Sequence, residues 1–386
     1  MSALPLEGLR VVDLSRLLPG PYATLVLADL GAEVIKVEAP QGGDYLRWMP
    51  PLAPAVKGRS SWAFQALNTG KRSICIDLKV ESGVAALKAL IKKADILVES
   101  FRPGVMDRLG LGYTALSADN PRLIYCAITG YGQDGPMADA PGHDLNYVAL
   151  SGALALAGPA HGKPSVLPVQ LADISGSLWA VTGILAALEG RHRTGQGRFV
   201  DISMTEGASS FLASAFAPAL NGAAAPPARG ADVLTGGQAC YQTYRCRDGA
   251  FFSLAPLEPK FWSAFCALVE RPAWRPRQFD AALGAEITEL FASRDTAEWT
   301  ALLSGTEACA EPALDFEAWR HHPLTEARDM VITTEDGMAR MRTPVTPRDA
   351  RPAPAPGQGE HTRAVLSELG FSVEDIDGMI ESGAIV

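Results

Sequence analysis

The chain has 386 residues, too many for one small core, and its length predicts two domains. Apolar residues at 47% and charged residues at 20% fit an ordinary soluble globular protein. The net charge of -9 argues against a nucleic-acid partner, whose phosphates demand a basic face, but a few local Arg and Lys can still govern one anion pocket.

In chain order, Met1–Leu6 has neither a charged stretch nor a long apolar one, so no secretory leader is expected there. Arg10–Leu14 reads as a buried strand, Pro21–Leu30 as a helix and Glu33–Val37 as a second strand. Ser73–Leu78 and Asp95–Glu99 are predicted strands on either side of a helix at Ser82–Lys93, and Leu123–Thr129 closes the series. Strands alternating with helices imply βαβ units and a parallel sheet covered on both faces. Asp173 stands where an N-cap belongs, ahead of an apolar helix over Ile174–Arg191 that stops at Gly195. Phe199–Ser203 is a short strand, Thr205-Glu206 opens a helix, and Asn221–Arg229 is a connector rich in Ala, Pro and Gly. Tyr241–Arg245 and Phe251–Leu254 flank an Arg247-Asp248-Gly249 turn, as in a hairpin. Helices at Pro259–Val269, Ile287–Ala292 and Ala297–Leu303 complete a smaller α+β unit. The Pro-rich tract Pro344–Pro356 is an extended connection, and Ser372–Asp375 opens a last short helix with an approximate capping box. No uninterrupted apolar run reaches the length of a membrane span, so no membrane partner is expected. The six cysteines are scattered without Cys-x-x-Cys or zinc-type spacing, which predicts reduced thiols, no metal site and a cytoplasmic setting.

The run Gly142-His143-Asp144-Leu145-Asn146-Tyr147, with Asp173 downstream, gathers an imidazole and two carboxylates in a chain holding only six histidines. A lone imidazole is often a satisfied core residue, but it also donates and accepts protons near neutral pH. Asp144 suits a helix cap at Leu145, with Asn146 serving the same end, and Asp173 suits a cap as well as catalysis. Capping would lower the pKa of Asp173 and burial would raise it; sequence leaves both open. Gly130-x-Gly132-x-x-Gly135 matches a dinucleotide fingerprint, but Pro136–Pro141 is turn-like and offers no helix N-terminus for a pyrophosphate. A tight substrate-facing loop, with no nicotinamide, is the better reading. Glu258 before Pro259 reads alone as a surface acid at a helix start. Lys71, Arg72, Lys79, Arg102 and Arg108 cluster near predicted strand ends, where Lys79 and Arg102 are placed for phosphate groups.

These stretches, with Leu9–Leu14, Leu18–Pro21, Leu27–Val34, Arg102–Val105, Leu257–Pro259 and Gly359–Thr362, resemble the family III CoA-transferases. Within that family the Gly-His-Asp-x-Asn-Tyr run and Glu258-Pro259 are most similar to the α-methylacyl-CoA racemase branch. The resemblance implies an interlocked homodimer with a Rossmann-like large domain and a smaller α+β domain. Residues 1–200 would begin the CoA-binding domain, 201–231 connect, 232–325 form the small domain and 326–386 return to complete the large one. It also implies His143 and Asp173 as the acid–base pair, Asp144 and Glu258 as their partners, and Glu258 arriving from a second subunit. CoA contacts are implied at Ile76, Asp77, Leu78, Lys79, Ser100, Phe101, Arg102, Arg108, Gly142, Leu145, Asn146 and Tyr147, with no further cofactor. Two departures stand out. Thr235–Ala239 reads Thr-Gly-Gly-Gln-Ala, similar to the glycine-rich flap of transferases, and Ala39 replaces an arginine near the adenine end, where Lys36 could substitute. The expected reaction is racemisation at the α-carbon of a branched acyl-CoA through an enolate, its oxygen held by amides opening the Asp173 helix. CoA transfer through an aspartyl intermediate at Asp173 is the rival enzyme, and an inert CoA-binding scaffold is the third reading.

Overall fold

The computed structural model describes residues 4–54 and 60–386, so Met1–Ala3 of the stretch read for a leader lie outside it. The chain forms two compact units. The first takes Met1–Ser151, Val169–Ser210 and Leu324–Val386; the second takes Gly152–Pro168 and Phe211–Pro323. The division differs from the expected boundaries: residues 211–231 of the expected connector belong with the second unit, and the return to the first begins at Leu324 rather than at 326. Residues 201–210 stay with the first unit because Phe199–Ser203 is the sixth strand of its sheet, and 152–168 join the second.

In the first unit, β1 (Arg10–Asp13), β2 (Glu33–Glu38), β3 (Arg72–Cys75), β4 (Ile96–Glu99), β5 (Ile124–Thr129) and β6 (Phe199–Ser203) form one parallel sheet. Its order is β3-β2-β1-β4-β5-β6, the Rossmann arrangement. Every residue of β4 and β5 is buried, as expected for central strands covered on both faces. Strand β3 ends at Cys75, short of the predicted Leu78. There Ile76 bridges to Ile385 and the Asp77 carboxylate turns back to accept from the Lys79 amide. One core joins Val12, Ile35, Ile74 and Leu97 of the sheet to Leu87 and Leu90 of helix Glu81–Lys92 and to Val365 and Leu366 of helix Thr362–Leu369. The C-terminal segment is therefore part of this core. It is also tied by Arg340, whose guanidinium meets Asp29 at 2.5 Å out of water.

Helix Leu171–Thr194 packs on helix Pro19–Asp29 and on β5 and β6. By length and composition it could cross a bilayer, contrary to the expectation that no stretch would; half of its most apolar window is buried in the protein. A core helix of a soluble protein has the same character.

The second unit holds an antiparallel sheet of β7 (Gln242–Arg245), β8 (Phe251–Leu254) and β9 (Ala310–Pro312), covered by helices Pro259–Leu268, Leu283–Phe291 and Thr296–Leu303. The hairpin read from Arg247-Asp248-Gly249 is present, with Gly249 at φ 91°. Phe291 is fully buried, stacks on Tyr244 at 5.2 Å and meets Trp299 at 4.9 Å. Phe291→Ala should destabilise this unit by about 3–5 kcal/mol. Denaturant unfolding followed by tryptophan fluorescence, to which the buried Trp262, Trp274 and Trp299 contribute, measures the loss.

Candidate active site

In an open parallel sheet the ligand crevice lies where the strand order reverses, outside the carboxyl ends of the two central strands. Here those strands are β1 and β4. Two cavities of the first unit meet there, one of about 330 Å³ and one of about 600 Å³, and both are lined by Arg16 and Phe101. Ile76, Asp77, Leu78 and Lys79 line the smaller; Ser100, Arg102, Gly142, His143, Asn146, Tyr147 and Asp173 line the larger. Most residues implied for CoA contact are thus gathered on one crevice. Arg108, at the end of helix Val105–Arg108, and Leu145 line neither cavity.

Several basic residues near the crevice are engaged in the interior. Lys36 was expected to replace the arginine missing at Ala39. It is instead fully buried, its ammonium 2.9 Å from Asp44 Oδ2 and donating to the Ser15 carbonyl. Lys36 lines the smaller cavity, but its charge is already paired. Lys71 is likewise buried, donating to Asp13, Thr24, Asn68 and the Pro21 carbonyl. Burial alone would raise the Asp13 carboxyl; Lys36, Lys71 and the Ser15 and Thr24 hydroxyls hold it down at about 2. Arg72 pairs with Glu33 and Glu368. Arg16, which the motif reading missed, is a further cation at the crevice beside Lys79 and Arg102. Its guanidinium lies 4.8 Å from the Tyr45 ring and 5.5 Å from that of Phe101. Leu17 beside it adopts φ 63°, with its amide held by Asp44. The signal available in sequence was position: Arg16 follows a buried strand, as Arg102 does.

The catalytic candidates sit on the adjoining loop and helices. Tyr147 Oη donates to the Gly142 carbonyl at 2.5 Å, and its ring meets Tyr131 edge-on at 5.1 Å. A Cβ at Gly130 or Gly142 would fall 2.4 or 2.6 Å from that ring. The glycine-rich turn therefore closes around an aromatic side chain. The next helix begins only at Asp144. His143 precedes it as the N-cap, its amide donating to Asn146 Oδ1 at 3.0 Å. Asp144 is thus the first helical residue rather than the cap of its own helix. Its Oδ1 reaches across to accept from the amides of Ala172 (2.7 Å) and Asp173 (3.1 Å). Those two amides open helix Leu171–Thr194, and because Asp144 occupies them they are not free for an enolate oxygen as expected. Asp173 itself is the third helical residue, not the N-cap; Gln170 is. Its side chain lines the larger cavity with His143. Burial first, then the neighbouring Asp144 charge, pushes its carboxyl up to about 7.

Glu258 belongs to the second unit, as N-cap of helix Pro259–Leu268. The Thr235–Ala239 stretch is also in that unit, where Val233–Thr235 forms a 3-10 turn that ends at Gly236 with φ 89°. Among the described residues, no three His, Cys, Asp or Glu are placed to hold a metal ion.

A Rossmann-type sheet with an imidazole and a carboxyl lining its switch-point crevice is the arrangement found here. The chain belongs to CoA-transferase family III, whose family model matches residues 6–362. It is 36% identical to human alpha-methylacyl-CoA racemase over 99% of both chains. It is 35% identical to succinate–glutarate CoA-transferase of Agrobacterium fabrum, covering 95% of this chain and 96% of that one. A CaiB/BaiF family protein from Brucella suis superposes with a TM-score of 0.84 at 34% identity, over 95% of this chain and 100% of that one. It is an enzyme family of acyl-CoA chemistry, and racemase and transferase relatives stand at nearly equal distance.

The Asp144 contact predicts a separable charge effect. Asp144→Asn keeps an acceptor for the two amides but removes the negative charge, so the pKa of Asp173 should fall while staying above the ordinary range, since burial remains. Titration of the Asp173 carboxyl by carbon-13 NMR measures the shift. Asp144→Ala leaves both amides unpaired and should lower stability by about 1–3 kcal/mol. Because the folded pKa of Asp173 is raised, the folded state favours its protonated form, and its cost grows as pH rises from the unfolded value toward about 7. Asp173→Asn should therefore raise Tm more at pH 8 than at pH 5.

Proposed function

We propose that this enzyme is an acyl-CoA racemase that inverts the α-carbon of a 2-methyl-branched acyl-CoA by proton transfer through an enolate. One observation carries the reading: an imidazole and a carboxyl line the same cleft, where burial and the Asp144 charge push that carboxyl up to about 7. A group with a pKa near the working pH serves as base in one direction and acid in the other. Asp173 would remove the α-proton of one enantiomer while His143 returns a proton to the opposite face, and the roles exchange for the other. CoA would lie along the β1/β4 crevice, its nucleotide end toward Ile76–Lys79 and its thioester toward His143. Arg16, Lys79 and Arg102 would meet its phosphates. Glu258 is assigned as the partner of His143 on resemblance, arriving from a second copy of the chain. The enolate oxygen needs a donor other than the amides of Ala172 and Asp173. Such a donor is worth about 3–4 kcal/mol of barrier.

CoA transfer remains the second reading. The transferase relatives at 35% identity and the cleft-facing Asp173 carboxyl support it. There Asp173 is a nucleophile and His143 only orients.

In deuterated water the enzyme should wash deuterium into the α-position of both (R)- and (S)-2-methylacyl-CoA. Absence of exchange overturns the racemase reading. His143→Ala should abolish exchange, whereas a transferase would only slow. Incubation with acyl-CoA and hydroxylamine should leave Asp173 unmodified; a hydroxamate at Asp173 identifies the transferase. For the enantiomer deprotonated by Asp173, kcat/KM should fall as pH drops below about 7.

A further inference from the structure

Strand β4 ends on a buried acid that the proposed chemistry does not use. Glu99 is 3% exposed. It pairs across the sheet with Ala127 of β5, which pairs with Asp201 of β6, so the three side chains form one row on one face. Ala127, between the two acids in that row, is itself fully buried. A cavity of about 250 Å³ lies against Glu99 and is also lined by Arg102, Asp107, Tyr125 and Gln133. Glu99 Oε2 accepts the Phe101 amide at 2.6 Å, and Asp201 Oδ2 accepts the Gln133 amide at 3.2 Å. Glu99 thus ties down the loop that leaves its own strand β4, and Asp201 on β6 ties down the loop that leaves the neighbouring strand β5. Glu99 ties the one that matters more for a ligand. Phe101 lines both crevice cavities, and its ring lies beside the Arg16 guanidinium.

An acid in this place is costly. Burial pushes the Glu99 carboxyl up to about 7, the charges of Asp107 and Asp201 push the same way, and only the Phe101 amide and the Tyr125 hydroxyl oppose them. A leucine would fill a central strand without that cost. What the acid supplies, and leucine cannot, is an acceptor for the Phe101 N–H.

We propose that Glu99 is a positioning residue for CoA: its carboxylate fixes the Ser100–Arg102 turn, so that Phe101 and Arg16 hold the wall shared by the two cavities. This role rests on the acyl-CoA reading of the crevice.

The test is calorimetric titration of the full-length enzyme with coenzyme A, alongside the maximal rate of α-deuterium exchange at saturating 2-methylacyl-CoA. Glu99→Ala should weaken CoA binding by about tenfold, the scale of one lost hydrogen bond, while the saturated exchange rate changes by less than about threefold. Glu99→Gln keeps an acceptor of the same reach and should bind within about threefold of wild type, whereas Glu99→Asp keeps the charge, loses the reach and should resemble Glu99→Ala. Wild-type affinity in Glu99→Ala, or a lost rate at unchanged affinity, overturns the proposal. So does a Gln variant as weak as the Ala variant, because charge rather than reach would then be responsible. If Glu99→Ala fails to fold, the Gln and Asp variants decide alone. A wild-type enzyme that binds no CoA overturns the reading of the crevice itself; one that binds, with Glu99→Asp binding equally, overturns only the role of Glu99.

Discussion

The Asp144 carboxylate bridges the two helices that carry the candidate acid–base pair. One oxygen accepts from two amides at the start of helix Leu171–Thr194, while its own helix begins one residue after His143. The same contact has two physical effects. It satisfies amides that a helix start leaves without internal partners, and it places a negative charge beside Asp173. A favourable cap and an unfavourable like-charge approach are thus one geometry. The first fixes where Asp173 stands, and the second helps set when it gives up its proton.

The crevice is also shaped by which charges are neutralised elsewhere. Asp13, Glu38 and Asp44 face Lys36, Arg47 and Lys71 in the interior, three acids against three bases. Charges buried in this way persist only when paired, and once paired they offer nothing to a ligand. Among the described residues no carboxylate pairs with Arg16, Lys79 or Arg102, and these three stand where strands β1, β3 and β4 give way to loops. A net negative chain therefore keeps a local basic site for an anionic ligand.

Much of the first unit was legible in the sequence because hydrophobic runs of strand length alternate with helical ones. β1, β2, β5 and β6 fall within a residue or two of the expected spans. Ser73–Leu78 was read too long because its end is decided by Ile385, a contact no local pattern contains. His143 and Asp173 could be singled out by chemistry and resemblance, and they do line one cleft. The direction of the Asp173 pKa could not be read, since capping and burial act oppositely and only the fold shows burial ahead. Lys36 was misjudged for the same reason: a lysine in a strand looks available until Asp44 is seen to face it. Arg16 carried no motif, and its position after a strand was the only clue.

The sheet that bears the crevice is finished by residues some three hundred positions further along the sequence. Ile76 bridges to Ile385, the Asp77 amide donates to the Ala384 carbonyl, and Gly359 lies against Cys75. A ribosome making this chain releases the whole second unit before it supplies those contacts. Until then the edge strand β3 and the apolar residues beneath it stay uncovered, the kind of surface on which nascent chains stick to one another. The binding wall is consequently completed only once residues 359–385 have been made, and that waiting interval is when a chaperone has the most to shield.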